Sequence, residues 1–178
     1  MNSASKNIIA TLGPQGTCSS QAARYFIDNF LEYGEVNLYA TFEEGIELLK
    51  KKEVDYVVIP SAYRRIADII FDDLEFIEIQ NVFKFPTPRL VLASKNKNTE
   101  IKRLATHSSP YSLLKTDFSD TKFVEAKSNS DAAEIVLNNQ ADACITTIIC
   151  AENNRFYVIR DFGVIQMGWN VFIRKKRC

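Results

Sequence analysis

The side chains best suited to chemistry lie in short loops. Gly13-Pro14-Gln15-Gly16-Thr17-Cys18-Ser19-Ser20 contains two glycines, which let a backbone come close to a ligand, then four small side chains beside the amides of a starting helix. Gly16, Thr17, Cys18 and Ser19 are therefore the first candidates to hold a carboxylate. His107-Ser108-Ser109 ahead of Pro110 makes a similar offer. Ser61 after Pro60, and Thr146 before Thr147, stand at the ends of apolar runs. Any one such loop is ordinary turn and cap chemistry. Several of them together suit a small molecule with two separated anionic groups.

Among single side chains, His107 is the only residue whose unperturbed pKa lies near neutrality, so it is an acid candidate, with a purely positioning role as the alternative. Tyr63 carries a phenol that can donate a hydrogen bond, and Trp169 offers a flat wall; packing is the ordinary alternative for both. Arg64, Arg65 and Arg89 carry the guanidinium fork that fits a carboxylate, and Arg89 is the best placed of the three. Cys18, Cys144, Cys150 and Cys178 form neither a Cys-x-x-Cys pair nor a metal-ligand spacing, which predicts four free thiols. With one histidine in the chain, a histidine-based metal site is not expected.

These loops need elements to hold them. Residues 7–12 read as a strand and 19–30 as a helix with Ala22, Ala23, Phe26, Ile27 and Phe30 on one face. A strand at 36–39 precedes a helix at 42–51 opened by a capping box, Thr41 with Glu44. The continuous apolar run 56–60 predicts a strand buried on both faces, followed by a helix at 66–74 and a strand at 76–85. Pro86-Thr87-Pro88 is a stiff, extended connection, and the alternating plan repeats after it. Strands are expected at 89–93, 103–106, 122–125, 143–146, 157–160 and 170–173. Helices are expected after Pro110, at 130–138 with Ser128 or Ser130 as cap, and around Ile148 and Ile149. The predicted class is α/β, with residues 1–85 plus 165–178 as a first lobe, 86–164 as a second and no regulatory domain.

The 178 residues are 46% apolar and 25% charged, enough for one packed domain or two small lobes. Lys plus Arg total 22 and Asp plus Glu total 22, so no net field draws the chain to nucleic acid or an anionic membrane. No signal-peptide core follows residues 1–6 and no stretch is long and apolar enough to span a bilayer. A soluble, cytoplasmic protein with a small anionic partner is expected, and the basic tail 174–177 reads as a solvated end.

Thr11-Leu12-Gly13-Pro14-Gln15-Gly16-Thr17 with Ser19 resembles the opening signature of prephenate dehydratase domains. Residues 55–61, Thr106-His107 before Pro110, and residues 128–133 resemble later segments of that family in order, so the similarity runs from about residue 8 to 173. It implies a two-lobed fold like the type II periplasmic binding proteins, whose last strand returns to the first lobe and whose ligand lies in a cleft between lobes. It also implies a homodimer and carboxylate binding at Thr17, Ser19 and the amides around Gly16.

The departures from the family pattern carry the functional expectation. Dehydratase domains end in a Thr-Arg-Phe segment whose threonine helps the ring hydroxyl leave, where this chain reads Gly168-Trp169-Asn170-Val171-Phe172. Pro60-Ser61-Ala62-Tyr63 replaces Glu-Asn-Ser, Gln15 replaces a glutamate and Ser108 a proline. The Pro-x-Ala-Tyr motif and the Met167 to Trp169 ending resemble the prephenate decarboxylases of bacilysin-type antibiotic pathways. That resemblance implies a lyase acting on prephenate in secondary metabolism, retaining the ring hydroxyl and protonating a ring carbon, with no metal or organic cofactor. Two rival readings stand beside it: a dehydratase with a relocated acid, and a binding protein that holds a small anion without turnover.

Overall fold

The computed structural model describes residues 6–113, 118 and 120–176. Cys178, Arg177 of the basic tail and the first five residues, which entered the expectations above, lie outside that set. The chain divides into two compact units, Met1–Phe85 with Gln166–Cys178, and Pro86–Ile165.

The first unit is built on a five-stranded sheet. In chain order its elements are β1 (Asn7–Leu12), α1 (Cys18–Phe30), β2 (Gly34–Tyr39), α2 (Phe42–Lys51), β3 (Tyr56–Pro60), α3 (Ile66–Asp72) and β4 (Ile77–Pro86), and the last strand of the chain, Gln166–Arg174, returns to it. The strand order is β2, β1, β3, that last strand, β4. β1 runs parallel to β2 and β3, and the returning strand is antiparallel to β3, with Trp169 opposite Pro60 and Asn170 opposite Ile59.

The sheet is buried on both faces, which is why β3 reads as an unbroken apolar run. Ala22, Ala23, Phe26 and Ile27 of α1 pack with Ile9, Val58, Phe83, Trp169 and Val171. In the other cluster Phe42, Ile46 and Leu49 of α2 meet Ala10, Val57, Ile59 and Phe172. Gly45 lets α2 sit close: a Cβ there would lie 3.3 Å from both the Ala10 Cβ and a Val57 methyl. Thr41 caps α2 by accepting from the Glu44 amide at 3.1 Å, while the Glu44 carboxylate reaches back to the amide of Ala40 at 3.2 Å.

The second unit contains β5 (Leu90–Ser94), β6 (Arg103–His107), β7 (Lys122–Ala126), α4 (Asn129–Leu137), β8 (Ala143–Thr147), α5 (Ile148–Asn153) and β9 (Tyr157–Gly163); the returning strand Gln166–Arg174 is β10. Its sheet order is β7, β6, β8, β5, β9. β6 is parallel to β7 and β8, and β5 is antiparallel to β8 and β9. Val91, Ala93, Ala105, Cys144, Ala132, Ala133 and Val136 form its main core, with small residues under α4 allowing close helix-on-sheet packing.

One expected element differs. The helix predicted after Pro110 is, among the described residues, a single 3-10 turn, Pro110–Leu113. Pro110 fixes φ for this first turn, and the rest of the expected helix, residues 114–117, lies outside the described set. β9 and β10 both extend beyond their predicted spans. Among the described residues no helix is long and apolar enough to cross a membrane.

Candidate functional site

In each unit the loops that follow the carboxyl ends of the parallel strands gather the candidate side chains, as expected of open α/β sheets. In the first unit, β1 ends at Leu12 and the chain turns through Gly16, whose φ of +86° suits glycine, into α1. Thr17 is the helix cap. Its Oγ1 accepts from the Ser20 amide at 3.2 Å and donates to the Leu12 carbonyl at 3.1 Å. The Thr17 hydroxyl is thereby committed to building the turn, and the Gly16 amide donates to the Ser20 hydroxyl at 2.9 Å.

Of the first-turn amides of α1, that of Ser20 is taken by Thr17, and no acidic residue of that turn offsets the positive end of the helix dipole. Ser19 is buried and Cys18 packs against the core under α1. A groove of about 570 Å³ runs beside this turn, lined in part by Gln15, Gly16, Ser20, Arg24, Tyr25 and Phe85.

The second loop of this unit follows β3. Ser61 is exposed, its amide donates to the Gly168 carbonyl at 2.8 Å, and its Oγ accepts from the Asn170 Nδ2 at 3.0 Å. Asn170, in the buried strand β10, also donates from Nδ2 to the Ile59 carbonyl at 3.3 Å. Tyr63 donates from its phenol to the Glu43 carboxylate at 2.8 Å and stacks edge-on against Phe42 at 4.8 Å between ring centres. Burial first, then the Glu43 contact, pushes the Tyr63 phenol up to about 12. Arg65 is paired with the same Glu43 at 2.8 Å. Trp169 is 1% exposed, with its indole N–H on the Phe85 carbonyl at 2.9 Å, so its ring fills the core under α1.

In the second unit, His107 ends β6 half-buried, and its Nδ1 accepts from the Ser109 amide at 3.3 Å. An accepting Nδ1 carries no proton, so a neutral ring keeps its N–H on Nε2. Ser108 is half-buried beside it and Ser109 is exposed. Thr146 is fully buried and donates to the Asn129 carbonyl at 2.7 Å, tying β8 to the first turn of α4. Ser128 caps α4 and Thr147 caps α5. Arg89 is exposed and ion-paired with Asp161, which holds the Asp161 carboxyl below its ordinary range. Burial pushes the Cys144 thiol up to about 12, which makes it unreactive.

The loops thus collect Gly16, Ser19 and Ser61 in the first unit and His107, Ser108 and Ser109 in the second. Trp169 and Thr146 lie beneath these loops, in the layers that hold them. Sequence reasoning passed over Asn170 and Glu43. Both act on a residue far away in the chain, and an asparagine inside an apolar strand, Trp169-Asn170-Val171-Phe172, is the one available signal. Among the described residues, no cluster of three or more His, Cys, Asp or Glu is placed to hold a metal.

Residues 9–166 match the family model described as prephenate dehydratase. A protein from Planktothrix agardhii named prephenate decarboxylase is 33% identical over 94% of this chain and 88% of its own. One of the same name from Bacillus subtilis is 30% identical over 92% of this chain and 85% of its own. Among solved structures, a prephenate dehydratase from Arthrobacter aurescens in complex with L-Phe superposes with a TM-score of 0.66 at 17% identity, covering 96% of this chain and 61% of that one. The periplasmic VFT2 domain of Bordetella pertussis BvgS superposes at 0.61 with 18% identity, over 94% of this chain and 80% of the domain.

Proposed function

The chain belongs to the prephenate dehydratase family, and from that premise we propose that it removes the ring carboxylate of prephenate as carbon dioxide while the ring alcohol stays in place. The observation that carries this reading is similarity over nearly full length, on both sides, to proteins named prephenate decarboxylase. The departure in the last strand supports it: where the family has Thr-Arg-Phe, whose threonine assists the leaving hydroxyl, this chain reads Gly168-Trp169-Asn170-Val171-Phe172.

The chemistry needs few parts. The bond between the ring and its carboxylate breaks, its electron pair moves into the ring diene, and a proton delivered to a ring carbon completes the balance. The first-turn amide of α1 at Ser19, with the Gly16 turn ahead of it, is the anchor for one carboxylate. Ser61, Ser108 and Ser109 supply hydroxyl donors, and Arg89 adds a cation at the start of β5. His107, with its N–H on Nε2, is the proposed proton source, and Tyr63 is the second candidate. Hydroxide is a poor leaving group, so an alcohol that receives no proton remains on the ring.

A non-aromatic product is of no use for making phenylalanine, and this supports a role in secondary metabolism of the bacilysin type; the cytoplasm as its place and a homodimer as its state are proposed on the family resemblance alone.

The test is incubation of the pure protein with prephenate, following carbon dioxide, loss of prephenate and the ultraviolet spectrum of the product. The expected result is one carbon dioxide per prephenate with no aromatic absorbance. An aromatic product would establish the dehydratase reading, and saturable binding without turnover would make the chain a binding protein.

A further inference from the structure

The contact between β3 and β10 defines a hydroxyl donor whose direction is set by two residues outside the expected site. Ser61 sits just past β3, next to the Pro60–Trp169 pair of the β3–β10 ladder, and its amide is bonded to the Gly168 carbonyl at 2.8 Å. A Cβ added to Gly168 would lie 2.8 Å from the Ser61 Oγ, closer than real Cβ contacts come, and 3.6 Å from the Ser61 Cβ. A side chain at position 168 would need the space that the serine oxygen occupies.

The same oxygen is held from below. The Asn170 Nδ2 bonds both the Ile59 carbonyl, at 3.3 Å, and the Ser61 Oγ, at 3.0 Å. A backbone carbonyl only accepts, so the nitrogen of the amide, not its oxygen, must face Ile59, and the same nitrogen donates to Ser61. With an Oγ lone pair taken by Asn170, the serine proton is turned away from the strand. Asn170 is 8% exposed and Ser61 is exposed, so a buried amide fixes the orientation of a surface hydroxyl.

We infer that Asn170 and Gly168 are positioning residues that hold Ser61 as a preoriented hydrogen-bond donor for a carboxylate oxygen of the substrate. This rests on the proposed action on prephenate and deepens it by naming how one donor is aimed. A charged acceptor makes the bond worth about tenfold in affinity, more than a bond between neutral groups gives. The arrangement also couples the two positions: a side chain at 168 and a hydroxyl at 61 exclude one another.

Kinetic cycles with prephenate read the coupling. S61A is expected to lower kcat/KM about tenfold. N170A and G168A are each expected to cause a loss of similar size in the parent, but less than about a twofold further loss in the S61A background. In that background the methyl added at position 168 meets only the methyl left at position 61, at ordinary contact distance. A merely structural role for Asn170 or Gly168 would give the same loss in both backgrounds, and that result would overturn the inference. Unchanged kcat/KM in S61A would also overturn it. If the parent binds prephenate without turnover, the proposed function falls, while the same cycle measured as prephenate Kd by calorimetry still decides the coupling.

Discussion

Tyr63 shows how a surface-loop side chain acquires a defined protonation state. The phenol is half-buried against Phe42 and donates to Glu43, and each effect opposes loss of its proton. In the unfolded chain the group titrates at 10.0, in the folded chain at about 12. Between those values the unfolded chain releases a proton that the folded chain keeps, so rising pH favours unfolding. The stabilisation is complete below pH 10 and is lost as pH climbs toward about 12. Urea unfolding of the parent and of Tyr63→Phe across this window is therefore expected to show a steeper alkaline loss in the parent, and parallel curves would mean that the fold does not hold the phenol's proton. At neutral pH the phenol therefore keeps its proton, donated to Glu43.

The elements repay a reading by period because most of them bury one face. α1 places Ala22, Ala23, Phe26 and Ile27 on the sheet at helical spacing, and that spacing is visible in the residues themselves. The start of α2 was equally legible, since Thr41 and Glu44 are three apart and cap locally. Thr41→Ala is expected to cost about 1 kcal/mol, measured as a lower urea midpoint at unchanged slope. Two features were not legible, for the opposite reason. The segment after Pro110 has cap and proline signals like those of a helix, and its described residues form a 3-10 turn, since cap and proline signals do not distinguish the two kinds of first turn. The orientation of Ser61 depends on Asn170, 109 positions away, and no local pattern records a bond of that range. Trp169 illustrates the same limit. Its flat ring suggested a wall for a ligand, with packing as the alternative, yet β10 lies between β3 and β4 and the ring packs in the core.

At the scale of the whole molecule, the chain leaves the first unit at residue 86 and rejoins it at 166, so the two units differ in what they need to fold. The second is continuous, has its own apolar cores and closes on itself: the Thr87 amide donates to the Ile165 carbonyl at 2.9 Å, and the Ile165 amide to the Thr87 hydroxyl at 3.2 Å. A fragment of residues 86–165 is expected to fold alone, giving a cooperative thermal transition by circular dichroism. The first unit lacks that independence, because β10 arrives from the far end of the chain and contributes Trp169, Val171 and Phe172, each at most 1% exposed. Burying each of these is worth roughly 1.5–3 kcal/mol, so ending the chain at 165 removes a sum comparable to the stability of a small domain. That truncated chain is expected to bind a hydrophobic dye and to retain only the second unit's cooperative melt. A melt that instead retains both units' signal would mean that β10 is dispensable, and with it the platform that aims Ser61.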